Sequence, residues 1–285
     1  MTEQDPPEWL TRIARAQRLL EQRLDEDVSL DELAAAACYS SFHFHRLFRA
    51  ATGETVRQQL RRLRLERAAG QLVHTQDEIL PIAIAAGYGS HEAFTRAFQA
   101  HFDASPSVFR TEQREIRKAP LPTMSDVPVR IETRPTEHIA FVRHVGPYIG
   151  AKDAWQSLMK WGWKKMLFGK KPELYGLAYD DPQVTDENQC RYEACMVVKP
   201  GTKVKPPVET RDQPGATFAV YTHKGPYEEF QQAYALLVGR IESGPIDGQQ
   251  YCFADPPALE IYVNDPRKTK PEDLISEIWM PVKPV

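Results

Sequence analysis

The chain has 285 residues, 42% of them hydrophobic and 26% charged, enough to bury an ordinary core; this length fits roughly one to three domains, and two are expected. No run approaches the about 18 apolar residues of a membrane helix, and the opening "MTEQDPPEWL" offers no apolar signal segment, so a cytoplasmic chain without a membrane partner is expected. The net charge of −3 excludes a chain that is basic throughout, while leaving room for a local basic face. Cys38, Cys190, Cys195 and Cys252 have neither CxxC spacing nor the density of a disulfide framework, so reduced structural thiols are expected.

In "VSLDELAAAACYS", Ser29 with Glu32 three residues on is a capping box, followed by an alanine-rich helix whose small side chains let a neighbour come close. A tight turn at "CYS" leads into "SFHFHRLFRAATG". At about 100° per residue, Phe42, His45, Arg46 and Arg49 share one stripe of a helix, and Phe44, Leu47, Phe48 and Ala51 lie opposite. One face is core and the other is basic. His43 and His45, at i,i+2, point apart, so the i,i+4 pair of a helical metal site is not offered; no metal and no cofactor are expected. Helix, tight turn, helix is the arrangement whose second helix enters a DNA major groove.

"ETVRQQLRRLRLERAAGQLVH" predicts a continuous helix over 55–73, about 27 Å long, which can space two reading helices by about one DNA turn. Arg46, Arg49, Arg57, Arg61, Arg62, Arg64 and Arg67, against only Glu54 and Glu66, are the expected phosphate-facing charge. The helix-turn-helix pattern then recurs in "EILPIAIAAGYGSHEAFTRAFQAHF". Phe94 and Phe98 take the places of Phe44 and Phe48, Thr95 and Arg96 those of His45 and Arg46, and Glu92, Thr95, Arg96 and Gln99 form the outward stripe.

From "SLDELAAAACYSSFHFHRLFRAATGETVRQQLRRLRLERAAGQL" through "DEILPIAIAAGYGSHEAFTRAFQAHFDASPSVFR", about residues 8–115, the chain resembles the DNA-binding domain of AraC/XylS transcription regulators. The resemblance implies that Ser41, Phe42, His45, Arg46, Arg49 and Arg61 of the first unit contact DNA, with Phe42, His45 and Arg46 at base-reading positions. His91, Glu92, Thr95 and Arg96 are the counterparts in the second unit. Two positions depart from the family pattern. Cys38 stands where a glycine is usual in the turn, at a cost of about 1 kcal/mol if the turn is left-handed. Glu92 replaces a neutral polar residue, and could accept from a cytosine amino group or merely repel phosphate.

"RKAPLPTMSDVP", with three prolines and little periodicity, reads as a linker, so the expected divisions are 1–116, 117–127 and 128–285. Beyond it lies a second internal repeat. "IAFVRHVGPY" matches "FAVYTHKGPY", "YGLAYDDP" matches "LEIYVNDP", and "EACMVVKP" matches "EIWMPVKP". The expected fold is multidomain: an all-α double helix-turn-helix domain, then an α+β domain of duplicated β-α-β-β units with an antiparallel sheet and two helices on one face. Alternation in "ALEIYVND" sends Leu259, Ile261 and Val263 toward those helices, and Glu260 and Tyr262 toward the open face, with Glu277 and Trp279 sharing a face. Gly176 and Ala178, matching Glu260 and Tyr262, leave a groove. Aromatic walls around a buried carboxylate suit an apolar cation and raise the carboxylate pKa; the alternative is that Glu193 and Glu277 only hold tyrosine hydroxyls or backbone in place.

Residues from about 127 to 285 resemble the GyrI-like effector-binding domains, which the resemblance pairs with lipophilic, often cationic ligands. Carried onto this chain, the acids are Glu193, Glu260 and Glu277, and the walls are Tyr148, Trp155, Tyr227, Tyr262 and Trp279. Trp155 matches the helix position of Tyr234, where a core role competes, and Trp161 and Trp163 are candidates for the rim. The expectation is a non-enzymatic transcription activator that binds double-stranded DNA, engages RNA polymerase and senses a small lipophilic ligand, as a monomer or weak dimer. Two alternatives stay open: hydrolysis of a lipophilic compound by Glu260 or Glu277 beside Tyr262, and a protein-binding module.

Overall fold

The computed structural model describes residues 7–117, 126–164, 173–254 and 257–285; of the proline-rich stretch read as a linker, 118–125 lie outside the described residues. The chain divides into two compact units, Met1–Ile116 and Arg117–Val285.

The first unit is all helical. Its described elements are α1 (Glu8–Gln22), α2 (Leu30–Ala36), α3 (Ser41–Thr52), α4 (Val56–His74), α5 (Ile79–Ala85), α6 (His91–Phe102) and α7 (Pro106–Arg117). The capping box at Ser29 and Glu32 starts α2, and a second, Thr55 with Gln58, starts α4. Ile13, Leu20, Leu33, Phe44 and Phe48 close one apolar cluster, so α1, which the sequence reading did not mark, supplies much of the floor for the first reading helix. Phe94, Phe98, Phe102 and Phe109 do the same for the second, with α7 contributing the last.

The repeat holds at the level of backbone hydrogen bonds. Tyr39 N–H donates to Ala34 O at 2.9 Å and Cys38 N–H to Ala35 O at 2.9 Å; Tyr88 to Ala83 at 3.0 Å and Gly87 to Ile84 at 2.9 Å repeat the pattern. This is a helix end that demands a left-handed residue. Gly87 supplies it with φ of +83°, and Cys38 is forced into it at +58°.

Three arginines of α4 correct the expected basic face. Arg62 is paired with Glu54 and Glu66, Arg64 donates to the carbonyls of Leu24 and Glu26, and Arg67 reaches Asp25 and the Ala85 carbonyl. They bind the helices of the unit to one another, because a guanidinium with five donors satisfies backbone carbonyls that a turn leaves open. Arg46, Arg49, Arg57 and Arg61 remain exposed, and no ion pair to them occurs among the described residues.

The second unit carries strands β1 (Val129–Arg134), β2 (Glu137–Val145), β3 (Leu174–Ala178), β4 (Arg191–Val197), β5 (Glu209–Gln213), β6 (Ala216–Lys224), β7 (Tyr251–Phe253), β8 (Ala258–Tyr262) and β9 (Ile275–Pro284), with helices α8 (Lys152–Lys164) and α9 (Phe230–Glu242). The antiparallel order is β1-β6-β9-β8-β3-β4-β2-β5, with β7 on the end of β9. The duplicated β-α-β-β plan and the two-helix layer are those expected. At the centre, β3 pairs with β8 so that Gly176 faces Glu260, the positions that match in the internal repeat. The local two-fold axis relating the copies therefore passes between these two residues.

The face assignment is the reverse of the expected one. Tyr262 packs edge-on against Trp155 of α8 at 5.5 Å, and Tyr234 of α9 donates to Glu260, so both Glu260 and Tyr262 point toward the helices. Leu259 and Ile261 lie on the other face with Phe141, Tyr175, Leu177, Phe218, Val220 and Trp279. The reason is that this other face is not open. The two-residue links β1-β2 and β5-β6 meet, Gly215 N–H donating to Thr136 at 3.2 Å, and a Cβ on Gly215 would lie 2.8 Å from the Pro135 carbonyl carbon. The sheet thus curls until its ends touch and buries its own apolar face. The polar centre is left to the helix side of the sheet, where it meets α8 and α9.

Candidate functional site

The candidate site is built on the central strands β3, β4 and β8. Glu260 is 6% exposed. Its carboxylate accepts from Tyr234 at 3.1 Å and from Tyr262 at 2.9 Å, and no ion pair to it occurs among the described residues. The Tyr262 hydroxyl is in turn 2.8 Å from that of Tyr192, which accepts from the Trp155 indole N–H at 3.3 Å. Because Tyr262 gives its proton to the carboxylate, the chain has one direction: Trp155 to Tyr192 to Tyr262 to Glu260. Burial raises the Glu260 pKa, and the tyrosine donors only partly offset it. The same burial, with the carboxylate nearby, raises Tyr192, Tyr234 and Tyr262, so all three act as neutral donors.

Around this core, Tyr227 meets Tyr262 edge-on at 5.3 Å and Phe230 stacks on Tyr262 at 6.5 Å, 14° from parallel. Tyr148 donates to the Asp180 carbonyl at 2.6 Å and leans on Tyr192 at 5.8 Å. The space above Gly176 is filled: a side chain there would overlap the Tyr192 hydroxyl.

The structure brings Tyr148, Trp155, Tyr227, Glu260 and Tyr262 together. It places Glu193, Glu277 and Trp279 on the opposite face. Glu193, 1% exposed, is held by Arg211 at 2.7 Å and Tyr179 at 2.9 Å; Glu277 takes Arg130 at 2.8 Å and the Trp279 indole at 3.0 Å. These acids tie strands of the curled sheet. Trp161 packs in the α8 core, and Trp163 is exposed. Sequence reasoning missed Tyr192 as a site residue and used Tyr234 only as the repeat partner of Trp155. That partnership was the available signal, since equivalent positions on two helices flanking one axis both face it.

In the first unit, Phe42 is 71% exposed at the tip of α3, with the Arg46 guanidinium over its ring at 5.9 Å. His45, Arg46, Arg49 and Arg61 are exposed, while Ser41 is turned back onto Asp31. On α6, His91, Glu92 and Arg96 are exposed, but the Thr95 hydroxyl is buried without a hydrogen-bond partner. Phe44, Phe48, Phe94 and Phe98 are buried as the wheel requires, whereas Ala51 is exposed.

A model of the GyrI-like small molecule binding domain matches residues 128–283, which is more than half of the chain. The chain belongs to the GyrI-like family. Ahead of its GyrI-like domain, a helix-turn-helix domain model matches residues 33–112, and this region is of the AraC type. Over 91 residues the chain is 40% identical to the transcriptional regulator Rob of Salmonella typhimurium, covering 32% of each protein, so it spans about a third of that relative. The regulatory protein SoxS of Salmonella typhimurium is 34% identical over 91 residues, 32% of this chain and 85% of SoxS. The cryo-EM structure of an EcmrR–DNA complex aligns with a TM-score of 0.45 at 16% identity, over 90% of this chain and 100% of that one. No helix among the described residues of this GyrI-like protein is long and apolar enough to cross a membrane.

Proposed function

We propose that the protein is a DNA-binding transcription regulator whose GyrI-like domain senses a lipophilic molecule, with a cationic group preferred, and that it acts as an activator in contact with RNA polymerase. The observation that carries the ligand reading is Glu260: a carboxylate buried at the domain centre, ringed by aromatic faces, and met by neutral hydroxyls rather than by a base. A cation inserted there gains charge pairing and attraction to the rings of Trp155, Tyr227 and Tyr262, and it displaces hydroxyls that can turn back to one another. Exposed Phe42, His45, Arg46, Arg49 and Arg61 support the DNA reading for the first helix-turn-helix, and His91 and Arg96 for the second. With two reading helices in one chain, a monomer suffices for an asymmetric site. Ligand changes DNA or polymerase binding only to the extent that it discriminates between two states of the protein.

Titration of the full chain with benzyltriethylammonium and with its neutral carbon isostere, read by tryptophan fluorescence, tests the ligand reading. Quenching by the cation that weakens at least tenfold in Glu260→Gln supports it, by the scale of a lost charge-assisted contact. Equal response of wild type and variant overturns it.

A further inference from the structure

The two helix-turn-helix units share backbone and core but differ in the charge at the tips of α3 and α6. The first turn of α3 carries no acid, whereas that of α6 carries Glu92, fully on the surface. Ser90 Oγ accepts from the Ala93 N–H at 3.2 Å and caps α6, and the neighbouring Glu92 N–H and Ser90 hydroxyl hold the Glu92 carboxyl below its ordinary pKa. Glu92 thus stands exposed in the first turn of α6, at the end of the helix that would enter the groove.

We propose that Glu92 is a specificity-determining residue, accepting a hydrogen bond from the cytosine N4 amino group in the major groove and excluding guanine and thymine at that position. This rests on the reading of the first unit as a DNA reader.

The chemistry leaves few choices. Glu92 only accepts hydrogen bonds, and phosphates are anionic, so no backbone contact suits it. In the major groove only cytosine N4 and adenine N6 donate. Guanine presents N7 and O6, and thymine O4, all acceptors; adenine sets its N7 acceptor beside the amino group, where it repels the second carboxylate oxygen. Cytosine alone offers a donor with no acceptor adjacent on the same edge. Thr95, with its hydroxyl buried, cannot substitute as an acceptor from its place one turn on. The two units therefore read by opposite rules: α3 through the donors of Arg46, which match guanine, and α6 through an acceptor.

The test is selection of binding sites from randomised duplexes by the full chain, followed by sequencing, with wild type, Glu92→Ala and Glu92→Gln. Wild type should enrich cytosine over guanine and thymine by about tenfold at one position of the second half-site. Glu92→Ala should lose that preference while keeping the pattern read by α3, and Glu92→Gln should move it to adenine, whose N6 and N7 a carboxamide matches. Unchanged preference in Glu92→Ala, or uniformly tighter binding to every duplex, overturns the inference while leaving the DNA-reading function intact. Failure of wild type to enrich any sequence overturns both.

Discussion

Glu260 on β8 pairs across the central ladder with Gly176 on β3, its own counterpart in the internal repeat, and the Tyr192 hydroxyl lies over the glycine where a second carboxylate would otherwise stand. The axis of the duplicated sheet therefore holds one acid and one gap filled from the neighbouring strand.

Gly176→Ala places a methyl group into the Tyr192 hydroxyl. Tyr192 must turn away and release Tyr262, so the variant should lose about 1–3 kcal/mol of stability, as overpacked cores do. Thermal unfolding of the full chain reads this. An unchanged midpoint would mean that Tyr192 is loosely seated.

Glu260 has a folded-state pKa above the usual carboxylate range. Its stabilising contribution is whole below the ordinary glutamate pKa of about 4.3 and is lost as pH rises through the folded value. The unfolding free energy of wild type minus that of Glu260→Gln should fall with pH across that window and stay flat above it. A difference that climbs with pH would place the carboxylate in a charge-stabilised site.

Arg46 and Arg61 are both exposed. Arg46→Ala should cost about 1–3 kcal/mol on a selected site and relax its base preference, while Arg61→Ala should weaken all DNA alike and reduce the salt slope by about one. Binding isotherms at several salt concentrations separate the two. Equal effects of both on random and selected DNA would remove Arg46 from the reading face.

Arg62 is 13% exposed at its side chain and lies 3.0 Å from Glu54 and 3.2 Å from Glu66. Arg62→Met takes the guanidinium from two largely buried carboxylates and should destabilise the first unit by about 3 kcal/mol in urea unfolding. For the fraction that stays folded, the salt slope of DNA binding should equal that of wild type. A smaller slope would return Arg62 to the phosphate-facing set.

Cys38 holds φ of +58° at the end of α2. Cys38→Gly should raise stability by about 1 kcal/mol, because the left-handed backbone penalises a side chain more than the added freedom of glycine costs the folded state. Denaturant midpoints of the two proteins decide it. A drop would mean that the thiol makes a packing contact worth more than the strain.

What was legible in the residues was whatever depends on neighbours in sequence. The capping box at Ser29, the paired phenylalanines of α3 and α6, and the repeated Gly-Pro-Tyr turns all act within a few positions, so they predict helices, duplication and fold class. The orientation of β8 did not follow from its alternation. Alternation states that Leu259 and Glu260 part company, but which one meets the helices depends on whether the sheet is flat or curled, and the links at Pro135 and Gly215 decide that at a distance. For the same reason Glu260 and Glu277, alike on paper, fall on opposite faces. The arginines of α4 show the same limit: Arg61 and Arg62 are adjacent, yet one faces outward and the other closes a buried ion triad.

A single carboxylate on a two-fold axis has a consequence for the shape of what it can recognise. Duplication supplies an aromatic residue from each helix, Trp155 and Tyr234, while the charge stands on one strand only. A flat molecule with one cationic end can satisfy these rings and the acid together, and has one preferred way round. On the ligand reading proposed above, a symmetric dication of the same length would bring a second charge into the aromatic lining, where burying it unpaired is costly. On that reading, the broken repeat would select for one cationic end rather than two.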